Sequence, residues 1–325
     1  MKAVLLVGGK GTRLRPLTYR IPKPLVPVMG KPLIMHVIDS LPREVDEIIV
    51  PVGYKRQVMQ DYIDSCDLDR SVLLVDEPEP LGTGGAVKNV QERLDGTFLV
   101  VNGDTISSLD LEELVSFHRA KGSVATISLR EVEDPEPFGI VSLDENGRIL
   151  RFQEKPKREE AFSNMANAGS YVLEPEVLHH IGEGFVSMER EVFPKILDKG
   201  MYGMRFGGLW MDCGTRENLL DAYWMLMGPD TCSISRSCVC EGSDLKAPFV
   251  VKDESVVAGT TLGPRAYVSE RVVVGLRSKV ERSVILEDAR VGTGCLIRDS
   301  IIDAGVSVPD GSDVISEIRS KSRGE

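Results

Sequence analysis

Over roughly the first two-thirds of the chain, short apolar runs alternate with longer stretches of helical spacing. Residues 3–7, 48–52, 72–75 and 98–101 are almost continuously apolar and read as buried strands. The stretches between and after them (54–65, 84–94 and 111–121) carry the apolar spacing of helices. Strands apolar on both faces, separated by helices, predict an α/β fold with a doubly wound, mostly parallel sheet. Further strands are expected at 123–130, 138–143, 149–153 and 168–173, and a last helix at 216–227. Gly228-Pro229 then breaks the pattern, which sets the expected domains at 1–228 and 229–325.

Beyond the break the period changes. Val250, Val256, Leu262, Val268, Val274, Val280 and Leu286 recur every six residues. Neither a helix of period 3.6 nor an alternating strand produces that interval. A hexapeptide β-helix does, since each sixth side chain enters a narrow core. Leu296, Ile302, Val308 and Val314 continue in a shifted phase, as an insertion at a turn would leave them. The polar tail, 318–325, is expected to fray.

Composition narrows the function. Hydrophobic residues make up 42% of the 325 and charged residues 27%, an ordinary globular mix. No apolar run nears the roughly 20 residues that span a bilayer, and residues 4–7 run directly into Gly8-Gly9 instead of a secretory pattern. A cytoplasmic protein is expected, without a membrane partner. The net charge of −11 argues against a nucleic-acid partner, while a local basic pocket for a small anion stays compatible with it. Cys232, Cys238 and Cys240 form the one close cysteine group, and with no histidine nearby they make a poor zinc pattern.

The densest chemistry is Val7-Gly8-Gly9-Lys10-Gly11-Thr12-Arg13-Leu14, followed by Pro22-Lys23-Pro24. A buried strand entering three glycines lets backbone N–H groups approach an anion closely. Arg13 offers a planar fork for phosphate oxygens, and Lys23 a compact charge. The run lacks the Gly-Lys-Ser/Thr of a Walker loop, and Leu14 stands where a dinucleotide fingerprint needs a small residue.

Gly-Gly-x-Gly-Thr-Arg-Leu-x-Pro-Leu-Thr with Pro-Lys-Pro resembles the sugar-1-phosphate nucleotidyltransferases, many of which append a left-handed β-helix to a Rossmann-like domain. The resemblance covers essentially the whole chain, and within the family it is closest to mannose-1-phosphate guanylyltransferases. It implies that Val7, Gly8, Gly9, Gly11, Thr12 and Arg13 hold a triphosphate and that Lys23 contacts the reacting phosphates. Val7 replaces an alanine common in the family. Asp104, ending Val100-Val101-Asn102-Gly103-Asp104, and Asp212, in Trp210-Met211-Asp212-Cys213-Gly214-Thr215, match the two metal carboxylates, for which Mg2+ is expected. Gly139, the Glu154-Lys155-Pro156 run, Asn167 and Gly169 match sugar-phosphate segments.

Residues 76–85 resemble the base-reading loop, which includes Gly82 and Thr83. Pyrimidine-using members usually place Gln there; this chain has Glu77 and Glu79. Guanine presents two adjacent donors that suit a carboxylate, so GTP is favoured over UTP or dTTP. The implied reaction transfers a nucleotidyl group, GMP from GTP, to a sugar 1-phosphate such as mannose 1-phosphate, releasing pyrophosphate. Uridylyl or thymidylyl transfer to glucose 1-phosphate, or a non-catalytic regulatory role, are the alternatives. The four histidines (His36, His118, His179, His180) have no evident role, and His179-His180 is expected to be partly buried on a helix. No histidine follows His180, which argues against acyltransfer by the β-helix. That module is expected to oligomerise the chain or to regulate it.

Overall fold

A computed structural model describes residues 1–321. Contacts divide the chain into two compact units, Met1–Lys10 with Leu33–Trp210, and Gly11–Pro32 with the chain from Met211 on.

The first unit is built on a nine-stranded mixed sheet. Lys2–Leu6 lies at its centre, parallel to Glu47–Val52 on one side and Phe98–Asn102 on the other, with Ser71–Asp76 parallel at the edge. These are the four apolar runs, and their residues Val4, Ile49, Phe98 and Val100 are fully buried. The sheet then departs from the expected mostly parallel order. Met165–Leu173 enters antiparallel beside Phe98–Asn102, and Gly139–Leu143 and Ile149–Glu154 form an antiparallel pair. A local turn explains that pair. The Asp144 carboxylate accepts from the Asn146 and Arg148 amides, and Gly147 takes φ +81. Met201–Arg205, not read from the sequence, lies parallel to Ala125–Glu131.

Helix Leu111–Lys121 falls where the pattern places it. The Asp110 carboxylate accepts from the Glu112 and Glu113 amides, and Gly122 ends the helix at φ +56. The expected helix at 84–94 is instead Gly82–Lys88 plus a short turn, and Leu33–Ser40 is a helix that the pattern missed. His179 and His180 end a six-residue 3-10 helix, Pro175–His180, with His179 exposed and His180 half-buried. The buried histidine is His118, between Thr126 Oγ1 (2.9 Å) and Glu174 Oε1 (3.1 Å). Burial pushes its pKa down, and the Glu174 carboxylate opposes that shift.

In the second unit, parallel strands of two or three residues stack into sheets of six, five and three strands, the faces of a β-helix. Partners are 17 residues apart on successive coils (Phe249↔Ala266, Ala266↔Ser283), and 18 apart at Thr261↔Lys279. Interior ladders run Val251/Val268/Ile285/Ile302, Val257/Val274/Val291/Val308 and Leu262/Val280/Ile297/Val314. The unbroken six-residue register is therefore corrected. Val257→Leu262, Val280→Ile285 and Ile297→Ile302 are five-residue steps. Val250 and Leu286, although buried, lie outside the interior cluster, as do Val256 and Leu296. Because alternate strand residues face opposite ways, the neighbour of an interior residue points outward. Tyr267 is one of these. It is fully buried, its ring 5.0 Å from that of Tyr223 on helix Arg216–Met227.

The expected frayed tail is also corrected, because Ile318–Arg319 pairs in parallel with Ile301–Ile302. Residues 322–325 lie outside the described residues.

Candidate active site

In the first unit, the strand Lys2–Leu6 delivers Gly8 and Gly9 to a cleft of about 290 Å3. Glu77, Gly82, Thr83 and Asp104 line the same cleft. Asp104 is placed by its neighbour. The Gly103 amide donates to Leu6 O at 2.9 Å, and a side chain at Gly103 would put its Cβ 2.7 Å from Val7 Cγ1. That approach sets the end of one parallel strand against the end of the next, where such sheets bind ligands.

Of the two carboxylates expected to read the base, Glu77 is buried and lines the cleft, whereas Glu79 is exposed and is not among the lining residues. The Glu77 carboxylate accepts from the Leu81 amide at 3.0 Å, which fixes the turn that leads into Gly82. Asn102, Pro80 and Phe185 also line the cleft and were not read as site residues. Asn102 stood within the run that ends at Asp104, whereas nothing near Phe185 in the sequence marks it.

The sugar-phosphate candidates are also in this unit but do not line that cleft. A Cβ at Gly139 would lie 2.6 Å from Glu154 Oε2 and 2.7 Å from Phe152 Cζ, so only glycine fits beside that carboxylate. Burial raises the Glu154 pKa, and the Glu189 charge raises it further. Lys155 is exposed, held at φ +47, with Nζ 4.0 Å from Glu154. Asn167 Oδ1 accepts from the Gly169 amide, and its Nδ2 donates to Tyr171 Oη at 2.9 Å.

One group missed from the sequence ties these segments together. Glu189 accepts from Thr83 Oγ1 and Ser187 Oγ, both at 2.7 Å, and from Tyr171 Oη at 3.1 Å. It thereby joins the first turn of helix Gly82–Lys88, at Thr83, to the Asn167 segment through Tyr171. Its local sequence, Ser-Met-Glu-Arg-Glu, reads only as a polar helical turn.

The second unit holds the remaining candidates. Thr12 and Arg13 are exposed on the turn Thr12–Leu14. Gly11 precedes them at φ +57, its carbonyl accepting from Thr18 Oγ1 at 2.8 Å. Lys23 is buried, its Nζ 3.4 Å from Asp212 Oδ1. A Cβ at Gly214 would lie 2.7 Å from Arg13 Nη2 and 3.0 Å from Asp212 Oδ1, which explains the glycine of that run. Thr215 caps the following helix by accepting from the Asn218 amide, and Asn218 Nδ2 donates to Asp212 O at 2.7 Å. Arg13 and Asp212 thus crowd one glycine, and Lys23 joins them through Asp212.

A family profile described as nucleotidyl transferase matches residues 2–226. The chain belongs to the nucleotidyl transferase family. A second profile, described as a GlmU-like C-terminal hexapeptide, matches residues 246–322 of this nucleotidyltransferase. A probable mannose-1-phosphate guanylyltransferase 1 of Oryza sativa subsp. japonica is 35% identical to it over 315 residues, 93% of this chain and 86% of that protein. The mannose-1-phosphate guanylyltransferase of Mycobacterium tuberculosis is 36% identical over 303 residues, covering 91% and 82% respectively. Among solved structures, HddC of Yersinia pseudotuberculosis complexed with GMP-PN superposes with a TM-score of 0.56 at 29% identity. That match covers 68% of this chain and 97% of HddC. Among the described residues, no helix is long and apolar enough to cross a membrane.

Proposed function

We propose that this nucleotidyltransferase transfers GMP from GTP to a sugar 1-phosphate, with mannose 1-phosphate as the sugar. The observation that carries the base assignment is Glu77, a buried carboxylate on the wall of the glycine-lined cleft. Its oxygens have lone pairs beyond the one given to the Leu81 amide, and guanine offers N1–H and the 2-amino group to such an acceptor. Uracil and thymine place an acceptor beside their donor and fit it less well. The names of the curated relatives and the GMP-PN complex of HddC support the same reading.

The sugar phosphate is already an anionic nucleophile, so no side chain has to be activated. One of its oxygens attacks the α-phosphorus, the bond to the bridging oxygen breaks, and pyrophosphate leaves. Backbone N–H groups at Gly8, Gly9 and Gly11 receive the phosphates, and Arg13 and Lys23 neutralise the charge that develops. Gly139, Glu154, Lys155, Asn167 and Gly169 hold the sugar phosphate. Glu154 accepts from sugar hydroxyls and Lys155 meets the phosphate.

A divalent cation, Mg2+, fits the donor set. Asp104 lines the phosphate-side cleft, and Asp212 stands beside Lys23, each offering one hard carboxylate of the kind Mg2+ uses together with phosphate oxygens. When bound, the cation shares the neutralisation of phosphate charge. We also assign residues 1–228 to the transferase domain and 229–325 to a β-helix that forms a homo-oligomer, and place the protein in the cytoplasm.

Incubation with each NTP and a panel of sugar 1-phosphates tests the reading. GTP with mannose 1-phosphate should release pyrophosphate fastest, and a preference for UTP or dTTP would overturn the role of Glu77. Asp104→Asn should lower turnover by about a hundredfold or more while the melting temperature holds. Near-normal turnover would remove Asp104 from the reaction.

A further inference from the structure

Residues 11–32 carry Arg13 and Lys23, yet they form a unit with the β-helix and not with the sheet whose central strand precedes them. Locally the segment is weak. It consists of three separate 3-10 turns, Thr12–Leu14, Leu17–Tyr19 and Lys23–Leu25, and one short antiparallel pair, Pro27–Val28 with Lys31–Pro32, and elements of this length do not hold themselves in register. Its geometry therefore depends on external anchors, and the β-helix unit supplies them. Arg20 Nη1 donates to Asp303 Oδ2 at 3.0 Å and to Ala304 O at 3.1 Å. Tyr223 Oη donates to Pro27 O at 2.9 Å, and a Cβ at Gly30 would lie 3.1 Å from Tyr267 Oη.

Asp303 is the anchor with the sharpest chemistry. Its side chain is 6% exposed, and besides Arg20 it accepts from the Ala304 amide at 2.8 Å and from Ser320 Oγ at 2.5 Å. A carboxylate buried to that degree requires a compensating cation. Among the described residues its ion-pair partner is Arg20, 283 positions away in the chain and between Arg13 and Lys23.

We propose that Arg20 and Asp303 are positioning residues for triphosphate binding: a coil of the β-helix holds the segment that presents Arg13 and Lys23. Neither residue touches the nucleotide. The inference rests on the assignment of Arg13 and Lys23 to the triphosphate, and it gives the β-helix a part in the reaction beyond assembly.

Arg20→Gln and Asp303→Asn in the full chain should each raise KM for GTP by about tenfold while leaving KM for the sugar phosphate unchanged, because displacement of a positioning segment is costly at the group it presents. Arg20→Lys should recover most of the loss. The double variant should be no worse than either single one, since both break the same link. A KM for GTP within about twofold of wild type in Arg20→Gln, or an equal rise for both substrates, would overturn the proposal. Arg20, 44% exposed, carries the test should Asp303→Asn unfold the coil. Wild-type turnover is read first. An inactive wild type sinks the assigned reaction, and hydrogen exchange of residues 11–32 then decides the positioning role. Faster exchange in Arg20→Gln supports the role, and unchanged exchange refutes it.

Discussion

At the scale of single residues, the candidate site depends on glycines that leave room for charged groups. Gly214 admits the Arg13 guanidinium and the Asp212 carboxylate, and Gly139 admits Glu154. Gly214→Ala should therefore displace Arg13 and raise KM for GTP, with kcat/KM falling by about ten- to a hundredfold in steady-state assays. Titration of Glu154 gives a second check. Its folded pKa is raised, first by burial and then by the Glu189 charge, so in the pH range just above an ordinary glutamate pKa the folded state binds more protons than the unfolded one. Stability from this group is thus present at lower pH and is lost as pH rises through the folded value. In melting curves over that range, Glu154→Gln should flatten the decline, and an unchanged slope would show that other groups set it. The sequence marks the glycine positions, because a run of glycines between charged residues has few other uses. It does not mark Glu189, which matters only because folding brings Thr83, Ser187 and Tyr171 to its two oxygens.

At the scale of elements, the strands of the first unit are legible because burial on both faces leaves nearly pure apolar runs. The helix Leu33–Ser40 is not, since Pro32 and the turns before it hide its start. The β-helix shows both outcomes. Its period of about six is visible, but which aliphatic of each adjacent pair points inward is not. Two of the five-residue steps turn at non-glycine residues with positive φ, Arg282 between Val280 and Ile285 and Asp299 between Ile297 and Ile302 (φ 48 and 49), and such residues give no turn signal. The corrected register is testable by calorimetry. Ile297→Ala, which empties an interior position, should cost about 2–5 kcal/mol, whereas Leu296→Ala should cost under about 1.5 kcal/mol. A larger loss at Leu296 than at Ile297 would restore the six-residue register.

At the scale of the whole molecule, ligand linkage should appear as thermal stabilisation. If the folded chain alone binds GTP with Mg2+, a concentration a hundred times Kd should add about 2.7 kcal/mol and raise the melting temperature, and UTP at equal concentration should add less. Indifference to all nucleotides would contradict the assigned reaction. The sequence by itself determined the chemical inventory, the α/β alternation and the repeat, because each is written in residues close together in the chain. Only the tertiary structure decided that Glu77, and not Glu79, lines the cleft, and that a glutamate at 189 joins Thr83 to the Asn167 segment through Tyr171. It also decided that the segment between Gly11 and Pro32 belongs with the unit that holds the β-helix. The physical reason is distance along the chain. Compensating a buried carboxylate at 303 with an arginine at 20, or covering Tyr267 with Tyr223, are choices that no local pattern encodes.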